Sequence, residues 1–246
     1  MAFRKFLSAL GVNAPSVETV LDNTTVRPGD QLGCEVTMRG GGADVTIERL
    51  TLQVVTRFED METTEDRWEN PGVLVSGELP GPFTLAAGAE VTERVVLDLP
   101  WEMPLTHILG GRRLRGARVA VRTELAIDNA VDRGDFDEFA VHALPQQDMV
   151  LQAYSDLGFR FDEAECKKGT PSSAVRSQVD WWQEIEMWFP ADYRNPGQNE
   201  IAFNARHDSL DLLTGGTGRL EFRYADMDLA RVTEVIDEHA RSRFAR

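Results

Sequence analysis

Apolar and polar residues alternate with a period of two through most of the chain. In LGCEVTMR, Leu32, Cys34, Val36 and Met38 share one side, against Gly33, Glu35, Thr37 and Arg39. VTERVVLDLP places Val91, Glu93, Val95, Leu97 and Leu99 on one largely apolar face, and RVAVRTELAI does the same with Val119, Val121, Leu125 and Ile127. Successive strand side chains leave opposite faces of a sheet, so each run predicts a half-buried antiparallel strand. VTIERLTLQVVTRF starts with Val45 and Ile47 inward and continues with Leu50, Leu52, Val54 and Phe58. That change of parity at Glu48–Arg49 requires a bulge or bend. Pro/Gly turn signals at 27–30 (RPGD), 39–42 (RGGG), 79–82 (LPGP) and 86–89 (AAGA) are spaced as in a β-sandwich.

This first all-β domain is expected to span residues 1–144, ending before Pro145. QQDMVLQAYSDLGF then changes period: Met149, Val150, Ala153, Tyr154 and Leu157 recur at helical spacing, with Gly158 as the C′ residue of a short linking helix. Alternation returns in VRSQVDWWQEIEMWF, where Val175, Val179, Trp181, Ile185, Met187 and Phe189 point one way. Ile201, Phe203 and Ala205, and later Leu220, Phe222 and Tyr224, mark two more strands, so residues 145–246 predict a second β domain closed by a helix. In that tail Leu229, Val232, Val235, Ile236, Ala240 and Phe244 form a stripe, with docking onto a sandwich expected through Leu229, Val232 and Ile236.

Charge and chemistry remove more functions than they add. The net charge of −15 and the lack of a basic patch interleaved with aromatics argue against nucleic acid as a partner. The two cysteines, Cys34 and Cys166, have no metal or disulfide spacing and suit packed thiols in a reducing cytoplasm. No apolar run approaches the ~20 residues of a membrane span. No nucleophile elbow, phosphate-binding loop or metal-binding histidine pair occurs among His107, His142, His207 and His239. His207 continues the inward parity of Ile201, Phe203 and Ala205 and is read as half-buried. The acidic run IDNAVDRGDFDEF carries Asp128, Asp132, Asp135, Asp137 and Glu138, but its glycine and ligand positions are out of order for a calcium loop. A hairpin is expected there. No catalytic residue, cofactor or metal ligand is assigned.

Two tryptophans are the candidates for a functional surface. With odd positions inward, Trp182 and Trp188 fall on the outer face of their strand beside Arg176, Asp180, Glu184 and Glu186. Their separation is roughly 20 Å along a strand. Tryptophan on a charged face suits a contact with a protein partner. The other reading is that a helix or the neighbouring domain covers them.

Several stretches carry a family resemblance: VETVLD, VRPGD and IERLTLQ between Val17 and Gln53, LPWEMPLT at 99–106, LAIDNAVDRGDFDEFAVH at 125–142 and LGFRFDEAEC at 157–166. In these the chain resembles the bacterial sporulation-control protein family. The resemblance covers most of residues 1–166 and implies an arrestin-like fold, all-β, with two antiparallel β-sandwiches in tandem. It also implies a non-enzymatic regulator of sporulation or cell division, acting through protein contacts as an adaptor. A second function class is a small-ligand or membrane-surface binding protein. That reading uses FRKFLSAL, where Phe3, Phe6, Leu7 and Leu10 form an apolar stripe beside Arg4 and Lys5.

Overall fold

A computed structural model describes residues 14–58, 71–128, 133–171, 176–193, 197–215 and 218–244. The N-terminal stripe of Phe3, Phe6, Leu7 and Leu10, the acidic residue Asp132, and Val175 lie outside the described residues. The fold is all-β with two short helices.

In the first half, β1 (Ser16–Leu21), β3 (Gln31–Arg39) and β6 (Glu90–Asp98) form one sheet in the order β1-β3-β6. The second sheet has the order β2-β10-β9-β4-β5, from β2 (Thr25–Val26), β10 (Arg133–Val141), β9 (Val119–Ile127), β4 (Val45–Thr56) and β5 (Gly72–Leu85). The alternating residues become the core between them: Leu32, Cys34, Val36 and Met38 from β3 meet Leu50, Leu52, Val54, Val121 and Leu125, all without solvent exposure. The parity change in β4 is a bulge, seen as a register shift between Ile47 and Arg49 against both β5 and β9. The acidic run forms part of the antiparallel β9–β10 hairpin. Asp135 accepts the Thr19 N–H at 2.7 Å, and Glu138 pairs with Arg118.

The LPGP stretch is not a turn. It lies inside β5, which runs unbroken from Gly72 to Leu85. β5 is the edge of its sheet, where prolines cost no ladder bonds. The β4 bulge explains the glycine, because a Cβ on Gly81 would stand 2.1 Å from the Glu48 carbonyl oxygen.

The linking helix, α1 (Pro145–Asp156), begins with a proline at its first turn, where no amide partner is lost. It ends as expected at Gly158, φ 88°. The Phe159 N–H reaches the Tyr154 carbonyl, the Gly158 N–H reaches Ser155, and the Tyr154 and Phe159 rings meet edge-on at 5.0 Å.

Beyond it, β7 (His107–Ile108) and β8 (Arg112–Arg113) having formed a small ribbon before β9, the remaining strands make one antiparallel meander. These are β11 (Arg160–Lys168), β12 (Trp181–Trp188), β13 (Gln198–Ala205), β14 (Ser209–Thr214) and β15 (Gly218–Arg223). Among the described residues these five strands form one sheet, and α1 packs against α2 (Leu229–Phe244), both helices sending buried side chains into the common core. Asp228 caps α2, its carboxylate accepting the Arg231 N–H at 2.9 Å. Val232, Ile236 and Ala240 are buried, and His239 Nε2 shares a hydrogen bond with the Thr214 hydroxyl of β14. Leu229 is instead 38% exposed, because it sits in the first turn, ahead of the point where α2 meets the sheet.

The two halves share a continuous apolar core. Three polar links reinforce it. The Gln183 side chain donates to the Leu105 carbonyl and accepts from its N–H, each at 2.8 Å. The Ala164 N–H donates to the Arg115 carbonyl at 2.8 Å, and Phe58 bridges to Cys166.

Candidate functional site

β12 sits between β11 and β13, so its outer face is flanked on both sides. Trp182 and Trp188 are both on that face, but their surroundings differ. Trp182 is half-buried: it packs against Ala202 and Leu213 of the neighbouring strands, and the Lys167 ammonium lies 5.7 Å from its ring centre. Trp188, at the other end of β12, remains 37% exposed, and its indole N–H donates to Asp162 at 3.0 Å. The pair is not brought together, and the cover over Trp182 comes from its own sheet.

Between the tryptophans lies acid. Glu184 occupies the outer face as the alternation implies, yet it is 4% exposed, because Lys167 from β11 closes over it in an ion pair. Burial, then the adjacent Glu200, pushes its carboxyl up to about 7 against the pull of Lys167. Glu186 is raised as well, by burial and by Glu163, Glu184 and Asp162. Crowded carboxylates and an exposed indole at one end thus share a single face of the sheet.

Asp162 owes its position to a β-bulge. The register of β11 on β12 shifts by one residue between Phe161 and Ala164. The shift places the Asp162 carboxylate where Trp188, Gln198 and Arg115 all reach it, Arg115 at 2.5 Å.

Arg115 belongs to a segment that the alternation analysis passed over. RRLRGAR, residues 112–118, holds four arginines in seven positions of a chain with 26 basic and 41 acidic residues. It runs alongside β11 at the junction of the two halves, where Arg115 bridges to Glu163. Gly116 allows the approach: its φ is 82°, and a Cβ there would meet the Ala164 carbonyl oxygen at 2.6 Å. A cavity of about 610 Å³ opens here, lined by Arg57, Arg113, Arg115, Arg118, Glu163 and Glu165 among others. The signal was available as the densest run of arginine in the sequence.

His107, His142 and both thiols are held within the fold. His107 and His142, far apart in sequence, stack with ring centres 4.8 Å apart. Burial, then His142 and Arg113, lowers the pKa of His107. His207 is exposed rather than half-buried, because β13 stops at Ala205 and the histidine falls in the turn to β14. Cys34 and Cys166 are free and buried, and burial pushes their thiols up to about 11 and about 12.

A largely antiparallel sandwich continuous with a helix-backed sheet defines an all-β scaffold whose distinctive surface groups lie at the junction and on the second sheet. The chain belongs to the SpoOM protein family (Spo0M), whose sequence profile it matches over residues 3–215. It is similar to the sporulation-control protein Spo0M of Bacillus subtilis strain 168, with 28% identity over 233 residues, covering 91% of this chain and 86% of the relative. The crystal structure of Spo0M, a sporulation control protein from Bacillus subtilis, superposes with a TM-score of 0.77 at 25% identity, covering 93% of this chain and 98% of that one. The family resemblance legible in residues 1–166 therefore extends well into the second sheet.

Proposed function

We propose that the protein is a non-enzymatic cytoplasmic regulator of sporulation or of cell division and differentiation, acting as an adaptor that docks protein partners on the outer face of β12. Family membership and the likeness to a sporulation-control protein support the regulatory role. The observation that carries the docking surface is Trp188, a large aromatic ring exposed at a fixed orientation beside a buried acidic ridge. An indole held by a hydrogen bond has lost much of its rotamer freedom before binding, so less entropy is spent when a partner covers it. The buried thiols and the stacked histidine pair fit a scaffold better than a reaction centre.

Affinity capture from the native cell, quantified by mass spectrometry, tests this reading. The parent chain should enrich a defined set of proteins that Trp188→Ala loses and Trp182→Phe keeps. Identical enrichment by the parent and by a folded Trp188→Ala protein would reject this surface as the docking site.

A further inference from the structure

We propose that the crevice at the junction of the two halves binds a small phosphorylated ligand, grasped by Arg57 and Arg113 and framed by Arg115 and Arg118. This stands apart from the partner-docking surface and does not depend on it. The cavity of about 610 Å³ is joined by a smaller one of about 180 Å³ that shares Arg113, Ala117 and Arg118. The larger volume falls in the range of small-molecule sites, roughly 300–1,000 Å³.

The charge of the lining is inverted relative to the chain. Four arginines face two glutamates, where the whole protein has 26 basic against 41 acidic residues. A concave wall of one sign focuses its field on the space it encloses. Acids elsewhere on the surface act across water and salt, with a screening length of about 8 Å at physiological ionic strength. A small anion inside the crevice therefore responds to the arginines, whereas a long polyanion meets the acidic exterior.

The four arginines divide into two roles. Arg115 is tied to Asp162 and Glu163, and Arg118 to Glu138. Those pairs fix the RRLRGAR segment against β11 and β10. Arg57, directly after β4, and Arg113, in β8, form no ion pair with any described carboxylate. They come from separate elements of the first half and line one cavity, so two guanidinium forks are available to one ligand. A carboxylate has two oxygens, which a single fork occupies. A phosphoryl group presents three or more, enough for both. The chemistry recognised is thus a phosphoryl oxyanion, either free or on a small ester.

Isothermal titration of the full chain at constant ionic strength tests the proposal, with pyrophosphate, inorganic phosphate and glycerol 2-phosphate as probes and citrate as the carboxylate comparator. Saturable binding of at least one phosphoryl probe is expected, at least tenfold tighter than citrate. The relative strength of inorganic phosphate and the ester tells a free ion from a phosphomonoester. Arg57→Ala combined with Arg113→Ala should weaken binding at least tenfold while leaving the ligand-free melting temperature unchanged. Arg113→Lys, which keeps the charge and loses the fork, should weaken binding less than Arg113→Ala. The absence of saturable heat with every phosphoryl probe at millimolar concentration, citrate binding as tightly, or unaltered binding in the double variant would overturn the site. If the double variant fails to fold, Arg113→Ala alone decides by the same criterion.

Discussion

Replacing Gln183 by leucine should unfasten the two halves of the protein. The side chain is 8% exposed, and its amide satisfies both backbone groups of Leu105, itself 1% exposed. Leucine fills similar volume but leaves a buried N–H and a buried C=O without their partner. Each unpaired group costs about 1–3 kcal/mol, and the gained apolar contact offsets part of that. A net loss of about 3 kcal/mol is expected, which for a chain of this length lowers Tm by about 6–12 °C. Gln183→Glu adds a sign test. Its carboxylate can accept the Leu105 N–H but sets negative charge against the Leu105 carbonyl. Protonation restores a donor, so the deficit relative to the parent should shrink from about pH 8 to about pH 5. Urea denaturation followed by tryptophan fluorescence measures both variants. A Gln183→Leu protein within about 1 kcal/mol of the parent, or a Gln183→Glu deficit equal at both pH values, would refute this account of the junction.

Ile236→Ala removes a fully covered side chain from α2 and should cost about 2–4 kcal/mol in the same assay. Gly116→Ala forces a Cβ onto a φ of 82° against the Ala164 carbonyl, and should cost about 1–3 kcal/mol. Glu184 binds its proton more tightly when folded, since its pKa rises from 4.5 to about 7. Its contribution to stability is therefore full below about pH 4.5 and is lost as pH rises towards 7, a fall on the order of 1–3 kcal/mol. Denaturation at several pH values should show that Glu184→Gln flattens this part of the slope, leaving the share due to Asp137, which burial, Asp135 and Glu18 raise to about 6.

The alternation of Leu32, Cys34, Val36 and Met38 was legible because each has one environment to choose: a strand with one buried face admits a single parity. The bulge at Glu48 was legible for the same reason, as the point where that parity fails. Gly158 announced the end of α1 because a left-handed residue closes a helix at least cost there. How strands are shared among sheets is a different matter. Nothing local in β11–β15 states that all five join one meander, since a helix stripe and a strand face cover an apolar surface equally well. LPGP misled because proline is excluded from central strands only, and edge position is a property of the whole sheet. The burial of Glu184 needed Lys167, a partner 17 positions away on another strand. The arginine crevice was visible as composition in RRLRGAR, but its concavity comes from a second segment, β11, brought alongside by the fold. Trp188 and Trp182 were placed on the correct face, and only the neighbours Ala202, Leu213 and Lys167 distinguish their exposure.

The bulged carboxylate of Asp162 receives the Arg115 guanidinium on one side and the Trp188 indole on the other. The crevice and the outer face of β12 are thereby two claimants on one acceptor. Removing the Arg115 guanidinium would leave the indole and Gln198 as the remaining side-chain donors to Asp162 among the described residues. Removing the indole would in turn leave Arg115 and Gln198 as the side-chain donors, so a change at either end is felt at the other through the shared carboxylate. One carboxylate, displaced by one extra residue in β11, is thus the pin that joins the RRLRGAR segment to the end of β12.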